Sequence, residues 1–88
     1  METISVSHFR MIDDFHLKAV ASILINNELA VHDIKLVQQS PNRLIVNMPY
    51  KQDGQGIYRD VVHPVRQELR QQIDDLLLSE YKKRRPAE

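Results

Sequence analysis

Two apolar runs separated by a pair of asparagines constrain this chain more than any other feature. Residues 17–25 alternate, with Leu17, Ala19, Ala21, Ile23 and Ile25 on one face and Val20 and Leu24 on the other. Asn26-Asn27 follows, and then a second β-rich run over residues 28–37. Asparagine tolerates positive φ, so the pair predicts a two-residue hairpin turn between antiparallel strands. Residues 3–12 alternate upstream, with Ile4, Val6 and Ile12 on one side. Ser40-Pro41-Asn42 marks a turn into a further strand over residues 43–48. Three consecutive short connections predict an antiparallel meander.

The second half changes character. Residues 48–64 hold both glycines of the chain, Gly54 and Gly56, and lie between Pro49 and Pro64. Excursions of this length within a small domain are uncommon and often functional. A short strand over residues 57–60 is expected within it. Pro64 suits the first turn of a helix, where its missing N–H has no partner to lose. Val65, Leu69, Ile73, Leu76 and Leu77 then form a stripe at helical spacing, with Leu78 opposite. The helix is expected to reach about Arg84, before Pro86, and Lys82, Lys83, Arg84 and Arg85 complement its dipole. The expected class is therefore α+β, with a four- to five-stranded antiparallel meander and a C-terminal amphipathic helix. Residues 1–85 form a single domain, and 86–88 a short disordered tail.

Size adds a second constraint. A domain of 88 residues buries only about 60–65% of its unfolded surface. There is no cysteine to add a disulfide staple, which also excludes thiolate metal sites and fits a reducing cytoplasm. One helix covers one face of a sheet, yet Val20 and Leu24 are apolar on the other. A homodimer would cover both faces. The longest apolar stretch, near residues 19–25, is far shorter than the ~20 residues of a membrane span, and the N-terminus lacks a signal-peptide pattern. A cytoplasmic protein is expected, with no membrane partner.

The search for chemistry finds no catalytic constellation. His32 and Asp33 adjoin on a strand, where neighbours point to opposite faces and do not readily share an ion. His8 and His16 near Asp13 and Asp14 show no recurring ligand spacing. Asp53-Gly54-Gln55-Gly56 lacks the Gly-Lys-Ser/Thr ending of a P-loop and reads as a glycine-rich turn. His63, just before the helix, suits a capping role, the alternative being contact with a phosphate at the positive end of the helix dipole. Neither an enzyme nor a cofactor or small-molecule site is expected.

The basic residues remain. Net charge is zero, but the cations concentrate in the second half. A hairpin-like excursion would bring Lys51 and Arg59 together, and Arg66 and Arg70 lie one helical turn apart. These residues make a candidate phosphate-contacting strip, with Gln67 and Gln71 beside it as candidate base-edge readers. The alternative is an ordinary charged face, with Arg70 paired to Asp74 and Glu68 cancelling part of the field. Charge patterning leaves both readings open.

An ordered series of short motifs supplies a resemblance. Leu17-Lys18-Ala19-Val20-Ala21-Ser22-Ile23, Val31-His32-Asp33-Ile34-Lys35, Met48-Pro49 and Asp53-Gly54 resemble the SpoVG family (stage V sporulation or septation protein G). So do Tyr58-Arg59-Asp60, His63-Pro64, Arg70, Ile73 and Tyr81, and the match spans roughly residues 1–83. The resemblance implies a bacterial, cytoplasmic, homodimeric regulator that binds DNA, and in some members RNA. Its members take part in regulating sporulation, septation, virulence or surface-polysaccharide genes. Carried onto this chain, it places nucleic-acid contact near Lys51, Arg59, Arg66 and Arg70. Gln67-Glu68-Leu69 departs from the small polar and basic residues that open the helix in relatives, and Glu68 would repel phosphate. The expectation is a dimeric nucleic-acid-binding regulator of gene expression, septation or sporulation, without cofactor. The rival is a protein-interaction adaptor in cell division.

Overall fold

The computed structural model describes residues 3–84. Along them run β1 (Ile4–Met11), β2 (Leu17–Ile25), β3 (Leu29–Ser40), β4 (Arg43–Asn47), β5 (Tyr50–Gln52), β6 (Tyr58–Asp60) and α1 (Gln67–Arg84). Strands β1 to β4 pair in sequential order as an antiparallel meander, and β5 and β6 pair separately as a two-stranded ribbon. The architecture is the expected α+β one. Residues 86–88, expected as a tail, and Arg85 lie outside the described residues.

The asparagine turn behaves as its chemistry dictates, with φ of 55° at Asn26 and 56° at Asn27. The loop is one residue longer than expected, because Ile25 pairs with Leu29. Asn26 is also drawn towards the start of β1. Its backbone N–H donates to the Thr3 carbonyl over 2.7 Å, and its Oδ1 accepts from the Thr3 N–H over 2.9 Å.

Bulges set which side chains reach the core. In β1 an extra residue between Val6 and His8 shifts the register, so Ile4, Val6 and then Phe9 pack against the core. In β3 an extra residue between Val31 and Ile34 brings Val31, Ile34 and Leu36 all inside. Asp33 takes a left-handed φ of 61° there, a conformation that short polar side chains tolerate. Strict alternation therefore fails at His32-Asp33. His32 Nδ1 instead lies 2.9 Å from the hydroxyl of buried Ser22.

Helix α1 covers the face that carries Ala19, Ala21 and Ile23. Ile73 and Leu77 are fully buried against these residues together with Ile34, Leu36, Val46 and Met48. Two points of the expected stripe are corrected. Val65 is 90% exposed and precedes the helix, which starts at Gln67, three residues after Pro64. The first helical bond runs from the Arg70 N–H to the Arg66 carbonyl, so Pro64 stands outside the first turn. Leu78, expected on the far side, packs against the core as well. It follows Leu77 by about 100° of helix rotation and shares a shallow groove with Tyr81 and Leu44. The apolar face is thus broader than the narrow stripe. No described helix is long and apolar enough to cross a membrane.

Candidate nucleic-acid interface

The ribbon after β4 is built by one aspartate. Met48 is buried at its root, and Pro49 accepts from the Val61 N–H over 2.8 Å, which closes the base of the excursion. At the tip, Asp53 Oδ1 accepts from the N–H groups of Gln55 (2.8 Å) and Ile57 (3.0 Å). The Asp53 backbone exchanges further bonds with Ile57 and Gly56. Gly56 has a φ of 82°, where a side chain would be strained. These bonds hold the Asp53 carboxyl below its ordinary pKa, with the Ile57 N–H the largest cause, then Gln55, then Arg59. The glycine-rich segment is a hairpin turn.

Its register places Lys51 directly opposite Arg59. Both are exposed. Arg59 Nε donates to Asp53 Oδ2 over 3.1 Å, an exposed ion pair of little intrinsic strength that leaves most of the guanidinium in solvent. Tyr50 pairs with Asp60 and Gln52 with Tyr58. Alternation then puts both tyrosines on the face opposite Lys51 and Arg59. The Tyr50 and Tyr58 rings meet edge to face, 5.6 Å between centroids at 81°, and Lys35 Nζ sits 4.8 Å from the Tyr50 centroid. Sequence reasoning missed this aromatic pair as a site. The signal was available in principle, since tyrosines at positions 50 and 58 become diagonal neighbours once Lys51 and Arg59 are paired.

The helix start supplies the remaining candidates. Arg66 and Gln67 are exposed, Arg66 at the position that caps α1 and Gln67 as its first residue. Gln71 is exposed and donates to Asp75 Oδ1 over 2.9 Å. Arg70 is placed differently. Its Nη2 donates to the Val46 carbonyl over 2.6 Å, and its Nε lies 3.3 Å from Asp74 Oδ1. A phosphate at Arg70 would compete with both partners. Burial, only partly offset by Arg70, raises the Asp74 carboxyl above its ordinary pKa. His63 shares a shallow depression with Tyr58, Arg59 and Asp60. Among the described residues, no cluster of three or more His, Asp or Glu side chains could hold a metal ion.

The fold and surface together define a small α+β domain whose distinctive feature is a projecting basic and aromatic ribbon. A sequence model of the SpoVG family matches residues 1–83. The chain belongs to the SpoVG family. It is 38% identical over 81 residues to a Bacillus subtilis (strain 168) protein named "Putative septation protein SpoVG", covering 92% of this chain and 82% of that one. A protein of the same name from Geobacillus thermodenitrificans is also 38% identical over 81 residues, covering 92% and 83%. One from a Thermoanaerobacter species is 32% identical over 88 residues, covering 100% of this chain and 95% of the relative. The relatives' name refers to septation, not to a catalytic activity.

Proposed function

We propose that this chain is a homodimeric regulator that binds DNA or RNA without a cofactor, through the β5–β6 ribbon and the start of α1. In this reading it acts on gene expression, septation or sporulation in a bacterial cytoplasm, and its relatives' name supports the septation part. The observation that carries it is the direct pairing of Lys51 with Arg59 on a ribbon of exposed residues. Two long cations side by side, with Arg66 and Gln67 at the following helix, suit a phosphate backbone better than a small ligand. Such binding is strongly salt-dependent, because each neutralised phosphate releases counterions.

The rival adaptor reading draws on Ile57, Val61, Val62 and Val65, apolar residues left exposed near the ribbon and the linker to α1. A second copy of this chain would cover the same residues equally well. Selection of bound sequences from a random pool at two salt concentrations, alongside sedimentation, tests the proposal. Enrichment that weakens as salt rises, from a species sedimenting as a dimer, supports it. A monomer that retains no nucleic acid at low salt contradicts it.

A further inference from the structure

The cations of the ribbon account for phosphates, and they leave its other face unexplained. Tyr58 is 67% exposed and Tyr50 42% exposed. Large aromatic rings in water forgo the burial that usually stabilises them. These two rings are not loosely placed. Tyr50 is held between the Lys35 ammonium and the edge-to-face contact with Tyr58. Tyr58 is thereby braced at a right angle to Tyr50, with most of its own surface turned to solvent.

From this geometry we infer that Tyr58 is a stacking platform for an unpaired base, and that the ribbon prefers single-stranded nucleic acid to duplex. The inference rests on the nucleic-acid reading above and names its substrate class. Three features support that occupant. The ring is flat, open and positioned by a neighbour, as base stacking requires. The surroundings suit a polyanion, with Lys35 on the tyrosine face and Lys51 and Arg59 on the other. The ribbon is also only two strands wide, about 5 Å between strand axes. A base resting on Tyr58 would carry its phosphates past the ribbon's edge, within reach of the long Lys51 and Arg59 side chains. Bases in a duplex are stacked on each other, and their faces are closed to such a ring.

The test is fluorescence anisotropy of a labelled mixed-sequence single-stranded DNA and of the matching duplex, at one low salt concentration. Tyr58→Ala should weaken single-strand binding by roughly five- to a hundredfold while changing duplex binding by less than about twofold. Tyr58→Phe keeps the ring and should match the parent for both. The chain has no tryptophan, so Tyr58→Trp introduces a single reporter whose emission should be quenched by the single strand. Lys51→Ala should weaken both forms together, since phosphates are common to them. Equal loss for single strand and duplex in Tyr58→Ala would overturn the stacking role, since a merely structural contact predicts that pattern. Unchanged single-strand binding in Tyr58→Ala, or an unquenched Tyr58→Trp that still binds, would overturn it while leaving the broader reading intact. A parent protein that binds neither form overturns both.

Discussion

Arg70 and Arg84 pin the two ends of α1 to opposite edges of the sheet. Arg70 donates to the Val46 carbonyl on β4 over 2.6 Å, and Arg84 reaches the Phe9 carbonyl on β1 over 3.4 Å. Arg84 also lies over the Phe9 ring, 5.1 Å from its centroid, and pairs with Glu80. The helix thus crosses the meander diagonally, and Ala19 and Ala21 leave room for Ile73 and Leu77 beneath it.

Arg70 is accordingly expected to matter to the fold first. Arg70→Ala removes a short charge-assisted bond from a partly buried carbonyl and leaves Asp74 without its cation. A loss of about 1–3 kcal/mol follows. It should be read as a lower urea midpoint with an unchanged m-value. Arg70→Lys should recover little, since one ammonium cannot serve Val46 and Asp74 in the guanidinium's two directions. Any weakened nucleic-acid binding by Arg70→Ala should therefore be compared at matched fraction folded.

Acid should open the ribbon through Asp53. Its folded pKa lies below the ordinary 3.8, so its contribution is present above 3.8 and is lost as pH falls through the depressed folded value. Asp14 behaves likewise, since the N–H groups of Leu17 and His16 lower its pKa in the first loop. Asp74 has the opposite sign. Its raised pKa means that protonation at low pH relieves the charged form's burial. In an NMR titration, the Gln55 and Ile57 amides should shift together with one apparent pKa below 3.8. Asp53→Asn should abolish that shared titration.

The bulge at Asp33 gives a backbone prediction. At a φ of 61°, glycine is unstrained and a β-branched residue is not. Asp33→Gly should keep or slightly raise the thermal midpoint, whereas Asp33→Val should destabilise by about 1–2 kcal/mol. Equal midpoints for the two variants would show that the left-handed backbone at Asp33 imposes no strain.

The exposed apolar residues near the ribbon give a prediction about assembly. Val65 touches little within its own chain, being 90% exposed. Val65→Asp should leave the unfolding midpoint of the isolated chain nearly unchanged and raise the dissociation constant of the proposed homodimer in sedimentation equilibrium. A charge placed in an interface costs far more than one left in water. A distribution of monomer and dimer that matches the parent's would take Val65 out of the interface.

Much of this fold is legible in the sequence because its signals are local. Alternation over β2, the two asparagines at positive φ, and the leucines of α1 each report on a few neighbouring residues. The bulges are harder to read, since a strand that changes parity between Val31 and Ile34 resembles one with apolar residues on both faces. Ile34 and Leu36 show it, since both lie with Val31 in the core beneath the helix. Val65 and Pro64 point to an earlier helix start by spacing and ring chemistry, but the chain enters α1 only at Gln67. The candidate site divides in the same way. Pairing of Lys51 with Arg59 follows from a tight turn between them, whereas the bond from Arg70 to Val46 spans 24 residues and has no local signature.

In the proposed function the ribbon's paired cations, Lys51 and Arg59, neutralise phosphates. The measurement that meets it most directly is the slope of log affinity against log salt for a mixed-sequence strand, compared between the parent, Lys51→Ala and Arg59→Ala. Each substitution should weaken binding and flatten the slope by about 0.7 on single strands or 0.9 on duplex, with the fold intact by circular dichroism. Slopes identical to the parent's in both variants would contradict the claim.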